Sequence, residues 1–378
     1  MPDKGLADIV AAQTAISDID GKQGRLFYAG YDIHDLAPNS TFEEVVFLLH
    51  HIRLPSQAEL DELMDRLAAE RELDPFVEKL MPTMAEQSSP MSMLRTTVSS
   101  MSAFDPDGWD HSAEGNERKA MRLIARFATV IGEFERYRTG QEPLKPNPKF
   151  GHAANLLWMM TGREPEEEAA RVLDICLVLH ADHTMNASTF AARVAASTLS
   201  DIHSATTAAI ATLKGPLHGG ANEAVMKMLL EIGDVGRAEE YIKAKLAAKE
   251  RIMGFGHRVY KTEDPRATHL RRLSQQVGEH AGDLRWYEIS RKLEEVVMNE
   301  KGLYPNVDFY AASVYYTLGI PIDLFTPIFA ASRVSGWTAH VREQYADNRL
   351  IRPESEYIGP PRRPYVPIEQ RNAPAAAS

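Results

Sequence analysis

Residues 121–140 read MRLIARFATVIGEFERYRTG, and the apolar pattern of this stretch decides the fold class. Large apolar residues recur in it every three or four positions, at Met121, Ile124, Phe127, Ile131 and Phe134. That spacing places them on one face of an α-helix. The pattern stops at Gly140, as expected where a helix ends.

Helical spacing continues through most of the chain. Thr41 with Glu44, and Ser56 with Glu59, have the spacing of capping boxes and predict two early helix starts. Further helices are predicted over approximately 165–183, 187–213, 221–232, 237–253, 309–319 and 322–346. Because no sequence repeat and no alternation of strands with helices is found, we predict a mainly α fold.

Strand signals are concentrated near the start of the chain. Residues 15–19 and 25–28 flank a Gly-Lys-Gln-Gly turn at 21–24 and predict a small N-terminal β-hairpin. The other end of the chain cannot continue a helix because prolines interrupt it, at Pro353, Pro360, Pro361, Pro364, Pro367 and Pro374. We predict an extended C-terminal arm with disordered last residues, which either lies over a neighbouring subunit or frays as a tail.

The composition indicates a globular protein with a large core. Of 378 residues, 44% are apolar and 25% are charged, which suits roughly one to three packed domains. The net charge of -11 argues against a nucleic-acid or anionic-membrane footprint. Cys176 is the single cysteine, so we expect a buried, reduced thiol, no intrachain disulfide and no cysteine zinc site. With neither a secretory signal pattern nor a long apolar segment, we expect a cytoplasmic location.

Two histidines stand close together in LHADH at 179–183. His183 extends the apolar stripe of the preceding helix, so we expect it to be largely buried. With His180 it could bind a metal, but the zincin pattern needs a different spacing and an intervening glutamate, and no third ligand is evident. The alternative for His183 is a core histidine bonded to the backbone.

A third histidine, His218, lies in KGPLHGG at 214–220, just before the predicted helix 221–232. The positive end of the helix dipole disfavours a charged imidazole, so a neutral His218 could donate a hydrogen bond to a developing oxyanion. The alternative is a glycine-rich turn without chemistry.

The segment MGFGHRVYK at 253–261 places His257 in a cationic loop that runs on to Arg266. We expect Gly254 to end the preceding helix. The segment lacks the third glycine and the preceding strand of a dinucleotide-binding site. Its cations could instead hold carboxylate or phosphate groups.

Asp308 precedes the predicted helix 309–319 in YPNVD at 304–308. Aspartate is a favoured helix N-cap, and capping would lower its pKa. A general base needs the opposite environment, a partly desolvated carboxylate aimed at a substrate. The sequence around Asp308 leaves both interpretations open.

Taken together, these segments resemble one family. Four of them are similar to motifs of citrate synthases, in the same order and at similar separations: LHADH at 179–183 with Asn186, KGPLHGGANE at 214–223, GFGHRVYKTEDPR at 254–266 and PNVDFY at 305–310. The resemblance extends from GLADIV at 5–10 to Arg352-Pro353. The length is that of the compact bacterial and archaeal form, which is shared with 2-methylcitrate synthases. Ser89 stands where many relatives have histidine before Pro-Met.

The resemblance implies a homodimer of helical subunits with two domains each. The large domain would comprise residues 1–218 and 314–378, and the small domain, residues 219–313, would close over the cleft. The implied enzyme is an acyltransferase whose acyl group becomes an alkyl group on transfer. It needs no metal and no cofactor besides its substrates, acetyl-CoA and oxaloacetate.

The resemblance also assigns roles to residues. His218 would hydrogen-bond the thioester oxygen of acetyl-CoA, Asp308 would take a proton from its methyl group, and His257 would protonate the keto oxygen of oxaloacetate. Hydrolysis of citryl-CoA would then release citrate and CoA. The residues implied in oxaloacetate binding are His183, Arg266, Arg333 and, from the partner subunit, Arg352. Those implied in CoA binding are Arg251, Ile252, Met253, Gly254, Phe255 and Lys261, the last of which is otherwise a solvated side chain.

Two other functions remain open at this point. A 2-methylcitrate synthase would run the same chemistry on propionyl-CoA, and one extra methylene is worth only roughly 1–3 kcal/mol in an apolar pocket. A catalytically silent CoA-binding relative is disfavoured because His218, His257 and Asp308 are all present.

Overall fold

The computed structural model describes residues 5–6 and 9–371. Residues 7–8 of the opening segment and residues 372–378, on which the predicted disorder of the last residues falls, lie outside the described residues. Within the described part, the strands are β1 (Ser17–Asp20), β2 (Arg25–Tyr28) and β3 (Tyr31–Asp32). The helices of that part are α1 (Ile33–Asn39), α2 (Phe42–His51), α3 (Gln57–Ala69), α4 (Pro75–Glu78), α5 (Met81–Gln87), α6 (Pro90–Met101), α7 (Ala113–Arg138), α8 (His152–Thr161), α9 (Glu167–His180), α10 (Ala187–Ser197), α11 (Ile202–Leu213), α12 (Ala221–Ile232), α13 (Val235–Ala247), α14 (Pro265–Ala281), α15 (Arg285–Lys301), α16 (Val307–Thr317) and α17 (Phe325–Ala346).

The mainly α fold is confirmed, and its centre is α17. Residues 325–341 of this helix are all buried, so it is surrounded by protein on every side. It packs on α7, α9, α10 and α11. The predicted apolar stripe of α7 is buried, and Gly140 takes up a left-handed conformation just after that helix ends. A second group of helices, α12 to α16, packs largely on itself and lies over one end of α17 through α12.

The predicted hairpin is present and gains a third short strand. β1 pairs antiparallel with β2, with Ser17 opposite Tyr28, and β2 pairs with β3. The side chain of Tyr28 is fully buried, and its hydroxyl donates to the carbonyl of Asp182, 3.0 Å away. The small sheet is thereby attached to the turn that follows α9.

Several predicted helix limits were wrong. The stretch 187–213 is two helices, because Asp201 caps α11 through Ser204 N and Leu199 takes a left-handed backbone conformation. The stretch 237–253 ends at Ala247, so Gly254 does not terminate that helix. Helix α9 ends at His180 and does not include His183.

The predicted extended arm follows α17. Within the described residues after Ala346, the backbone is irregular apart from a single 3-10 turn at Ile368–Gln370, and Tyr357 and Ile358 are exposed. Cys176 is fully buried in α9, as predicted. Among the described residues, no helix combines the length and apolarity needed to cross a membrane.

Candidate active site

A cleft between α17 and the α12–α16 group collects polar side chains from separate segments. His183 follows α9, His218 precedes α12, His257 lies in the loop after α13, and Arg333 lies within α17. Arg266, at the start of α14, completes the cluster, and all of these groups are close enough to His183 to influence its pKa. The fold therefore brings together residues that are far apart in the sequence.

His218 is held by a short hydrogen-bonded chain. It lies in the turn before α12, and its Nε2 is 2.8 Å from the hydroxyl of Ser188. Trp337 Nε1, which can only donate, lies 3.1 Å from the same hydroxyl, and Asn186 Oδ1 lies 2.8 Å from it. Burial, with a contribution from Arg333, lowers the pKa of His218 to about 4. The imidazole is therefore neutral near pH 7.

His257 is fixed by its own loop. Its Nδ1 accepts hydrogen bonds from the backbone N–H groups of Val259, at 3.0 Å, and Tyr260, at 3.2 Å. Because Nδ1 is an acceptor, the proton of the neutral ring is on Nε2. Burial, assisted by Arg266, lowers the pKa of His257 to about 4. His257 is thus a neutral donor through Nε2.

His183 is buried, as predicted, although it lies on a loop and not on α9. Its Nε2 is 3.2 Å from the hydroxyl of Tyr260, and its ring lies edge-to-face on that of His257, with centroids 5.2 Å apart. Burial, then Arg266, places the pKa of His183 well below its ordinary value. Among the described residues, no group of three or more His, Cys, Asp or Glu side chains is arranged to hold a metal ion.

Two buried arginines supply positive charge. Arg266 binds Asp264 through Nε at 2.9 Å and Nη2 at 2.8 Å, so its Nη1 is the nitrogen left for another group. Arg333 donates from Nε to the carbonyl of His180 at 2.6 Å, and neither Nη atom has a hydrogen-bond partner among the described residues. Burial lowers the pKa of Arg333 to about 10, so it remains charged at pH 7.

Asp308 is not the N-cap of α16. Asn306 takes that position and accepts a hydrogen bond from the backbone N–H of Asp308 at 3.1 Å. The Nδ2 of Asn306 donates to the carbonyl of Gly256 at 3.0 Å, which ties the start of α16 to the His257 loop. Asp308 Oδ1 is buried, with no hydrogen-bond partner among the described residues. The capping interpretation is therefore wrong.

The environment of Asp308 raises its pKa. Burial is the main cause, and it moves the pKa of this carboxyl from 3.8 to about 7. Arg266 and Arg333 oppose this effect, and Asp264 adds to it. Asp308 is thus a carboxylate that is only partly desolvated, with a proton affinity suited to a general base.

The candidate CoA segment packs close to the start of α16. Phe255 forms an isolated β-bridge with Pro305, and its ring lies 4.5 Å from that of Phe309. Gly254 has a φ of 82°, and a Cβ there would lie 2.8 Å from side-chain atoms of Phe309 and Val225. The preceding residues of this segment, Arg251, Ile252 and Met253, are exposed or half-buried.

Two predicted residues lie outside the cluster. Lys261 is exposed, and its Nζ donates to the carbonyl of Arg258, at 3.2 Å. Arg352 is exposed on the arm, next to Ile351, whose backbone N–H donates to Ser197 at the end of α10. The single chain therefore does not bring Arg352 to the other residues.

Sequence reasoning missed Ser188, Tyr260 and Trp337. The hydroxyl of Ser188 contacts His218, and that of Tyr260 contacts His183. Trp337 acts on His218 indirectly, by binding the Ser188 hydroxyl. Tyr260 stands in the loop segment 253–261 without a distinguishing pattern, and a buried serine at the second position of a helix gives no signal of its own. Ser188 meets Trp337 where α10 packs against α17, and Tyr260 meets His183 although the two lie 77 positions apart on separate loops.

The fold and the site define an enzyme of helical architecture whose cleft combines neutral imidazoles, buried arginines and one carboxyl of raised pKa. The family described as "Citrate synthase, C-terminal domain" matches residues 5–354. The chain belongs to the citrate synthase family.

Comparisons with individual proteins agree with this family membership. The chain is 51% identical to Citrate synthase 2 of Bacillus subtilis (strain 168), over 97% of this chain and 99% of that protein. A 2-methylcitrate synthase of Mycobacterium tuberculosis is 44% identical, over 94% of this chain and 90% of that protein. Among solved structures, citrate synthase of Pyrobaculum aerophilum superposes with a TM-score of 0.91 at 44% identity, covering 97% of this chain and 95% of that one. Citrate synthase of Thermoplasma acidophilum, in a ternary complex with carboxymethyl-CoA and oxaloacetate, superposes with a TM-score of 0.91 at 35% identity. The match covers 97% of this chain and 99% of that one.

Proposed function

We propose that this chain condenses acetyl-CoA with oxaloacetate and, after hydrolysis of the intermediate citryl-CoA, releases citrate and CoA. The observation that carries this proposal is Asp308, a carboxyl with a pKa of about 7 whose Oδ1 has no hydrogen-bond partner among the described residues, and which shares the neighbouring charges of Arg333 with His218 and of Arg266 with His257. The reaction makes the chain an acyltransferase whose acyl group becomes an alkyl group on transfer.

The first step removes a proton from the acetyl methyl group. Each unit of pKa difference between this weak acid and Asp308 costs ~1.36 kcal/mol, so the enolate needs strong stabilisation. His218 supplies it by donating from Nδ1 to the thioester oxygen. This tautomer requires the Ser188 hydroxyl to give its single hydrogen to His218 Nε2 and not to Asn186 Oδ1, which lies equally near at 2.8 Å, while Trp337 donates to the same hydroxyl.

The second step forms the carbon–carbon bond. The enolate carbon attacks the keto carbon of oxaloacetate, and the keto oxygen takes a proton from His257 Nε2. The backbone bonds to Nδ1 support this role, since they hold the proton on Nε2 and fix the ring. Water then cleaves the thioester of citryl-CoA and releases the CoA thiol.

The two carboxylates of oxaloacetate account for the remaining cations. Arg333 can bind one of these carboxylates bidentately through its free Nη atoms. For the other carboxylate, Arg266 offers its Nη1 and His183 offers a ring nitrogen. Arg352 is exposed on its arm and contacts none of the described site residues of its own chain, so we assign it to the site of a partner in a homodimer. This dimer is part of the proposal.

The CoA moiety lies, in this proposal, along residues 251–255, with Lys261 available for a phosphate. Residues 219–313 form the small domain, and residues 1–218 with 314–378 form the large domain. No metal or cofactor beyond the substrates takes part. A cytoplasmic location belongs to the same proposal and suits the single buried thiol of Cys176.

A second candidate function is that of a 2-methylcitrate synthase, which the similarity to the mycobacterial relative favours. It uses the same residues on propionyl-CoA. A silent CoA-binding relative is less well supported, because the raised pKa of Asp308 has no use without proton transfer.

The test is release of CoA thiol, followed with a colorimetric thiol reagent. Acetyl-CoA and propionyl-CoA are assayed separately, with and without oxaloacetate. The buried Cys176, whose thiol pKa is raised by burial, adds almost no background in the folded protein. We expect oxaloacetate-dependent release with the higher kcat/KM for acetyl-CoA; a higher value for propionyl-CoA assigns the second function, and no release from either contradicts the proposal.

The assignment of Arg352 to the partner is tested with mixed dimers. A dimer of one Asp308→Asn subunit and one Arg352→Ala subunit keeps one complete site only if Arg352 acts across the interface. We expect such mixtures to recover activity that neither homodimer has. If the mixed dimers are no more active than the Arg352→Ala homodimer, Arg352 acts in the site of its own subunit.

A further inference from the structure

The small N-terminal sheet touches both loops that carry the substrate-facing histidines. The hydroxyl of Ser17, in β1, binds the carboxylate of Asp182 and accepts from the backbone N–H of Thr184 at 3.2 Å. At the β1–β2 turn, the carbonyl of Gly21 accepts from the backbone N–H of Lys261 at 2.8 Å. The same small sheet therefore contacts the turn that carries His183 through strand β1, and the loop that carries His257 through the β1–β2 turn.

Contact between the sheet and the His257 loop requires glycine at position 21. A Cβ on Gly21 would lie 2.5 Å from the carbonyl oxygen of Val259 and 3.0 Å from its carbonyl carbon and Cγ1. The φ of Gly21 is not left-handed, so its backbone is one that any residue can adopt. The requirement for glycine comes from the approach of the loop and from nothing else.

Val259 connects this contact to the chemistry. Its backbone N–H is one of the two groups that donate to His257 Nδ1 and so hold the proton of that ring on Nε2. The carbonyl of the same residue faces Gly21. A side chain at position 21 would displace Val259, and the orientation of His257 would be lost with it.

We propose that Gly21 is a positioning residue for His257, and that the β1–β2 turn, taken with the strand ends as residues 20–25, is a buttress for the His257 loop, residues 257–263. This inference rests on the proposed function and deepens it. Gly21 meets the loop through its backbone, at the carbonyl of Val259 and at the N–H of Lys261, and Val259 is the residue of the two that donates to His257.

The experiment compares Gly21→Ala with Gly30→Ala. Gly30 lies in the turn between β2 and β3 and has a φ of 88°, and a Cβ there would meet nothing within 4 Å. Alanine at position 30 therefore strains the sheet without touching the loop. The dissociation constant of oxaloacetate is measured by titration calorimetry without CoA, and kcat/KM by thiol release.

For Gly21→Ala we expect the oxaloacetate dissociation constant to rise, and kcat/KM to fall about tenfold to a hundredfold, which is the loss that a displacement of roughly 1 Å can produce. Gly30→Ala should lose stability and keep both constants near those of the wild type. In a double-mutant cycle, Gly21→Ala should have almost no effect on kcat/KM once His257 is alanine. Equal kinetic losses in the two glycine variants, or additive losses in the cycle, would overturn the inference.

Hydrogen exchange tests the same contact without ligand and without turnover. In Gly21→Ala, amides of loop 257–263 should exchange faster than in the wild type and in Gly30→Ala. If Gly21→Ala does not fold, the wild type alone decides: oxaloacetate should slow exchange in turn 20–25, and unchanged exchange there would contradict the buttress. A wild type that neither binds oxaloacetate nor releases thiol refutes the proposed function, whereas a fully active wild type with an unaffected Gly21→Ala refutes only this inference.

Discussion

Replacing Asp308 with asparagine separates a general base from a helix cap through the sign of the stability change. In the folded protein, burial raises the pKa of this carboxyl from 3.8 to about 7. At ~1.36 kcal/mol for each pH unit, the ionised carboxylate costs up to about 4 kcal/mol of folding free energy. Asparagine is neutral and nearly isosteric, so Asp308→Asn should be more stable than the wild type at alkaline pH.

The pH dependence follows from the direction of the shift in pKa. Between pH 3.8 and about 7, the unfolded chain has lost the Asp308 proton while the folded chain retains it, so the wild type loses stability as pH rises through this window. Above this pH window, the stability lost through Asp308 no longer changes with pH. Below it, Asp308 is protonated in both the folded and the unfolded chain and contributes no pH dependence to the free energy of unfolding. Urea denaturation of both proteins should therefore show a gap that favours the variant and widens by about 2–3 kcal/mol from about pH 5 to about pH 8.

Activity should change in the opposite direction to stability. Loss of the base should lower kcat by about 10²- to 10⁴-fold, with oxaloacetate binding retained. A helix cap would behave differently, because its removal would lower stability by roughly 1 kcal/mol and spare turnover. A variant that is less stable than the wild type at alkaline pH, or that turns over at the wild-type rate, would refute the reasoning.

Further outcomes can be measured on the same protein. Ser188→Ala should lower kcat about tenfold or more by releasing His218 Nε2, with the calorimetric dissociation constant of oxaloacetate unchanged; a change in that constant instead would argue for a structural role. The kcat/KM for acetyl-CoA should fall about tenfold per pH unit below about 7, as Asp308 takes up its proton, and a flat profile from pH 5 to 9 would contradict this. Arg333→Gln should raise the KM of oxaloacetate by about 10- to 100-fold, since a charged hydrogen-bonding group is lost, in protein that retains the near-ultraviolet dichroism of the wild type. Dialysis against a chelator should leave turnover unchanged, and a loss restored by a divalent metal would show that a metal takes part.

The sequence predicted the helical class better than it predicted helix ends. Periodicity identifies α7 because its apolar stripe is long and regular. It extends α9 too far, since His183 continues the helical spacing of the apolar stripe Val172, Cys176 and Leu179. The helix stops before Asp182, whose carboxylate binds Ser17 in β1, about 165 residues away along the chain. A contact of that range leaves no local signal.

The N-cap of α16 shows the same limit. Asn306 and Asp308 are both favoured capping residues, two positions apart, and local rules do not choose between them. The choice is made by Asn306 Nδ2, which reaches the carbonyl of Gly256 in the His257 loop. Asp308 is then placed at the second position of the helix, unpaired and partly desolvated. The chemistry of Asp308 therefore depends on which of two neighbouring residues the rest of the fold recruits as the cap.

The buried carboxylates of the cleft differ in what surrounds them. Asp182 and Asp264 are fully buried and have a lowered pKa, because their hydrogen bonds and their neighbours, His340 for Asp182 and Arg266 for Asp264, outweigh burial. Since Asp264 neutralises Arg266 at contact distance, the pair exerts opposing effects on Asp308 and leaves burial as the main influence on its pKa. If Arg266 were unpaired, its charge would lower the pKa of Asp308 and weaken it as a base. The same pairing leaves one nitrogen of Arg266 for a substrate carboxylate, so Asp264 permits Arg266 to bind an anion without removing the basicity of Asp308.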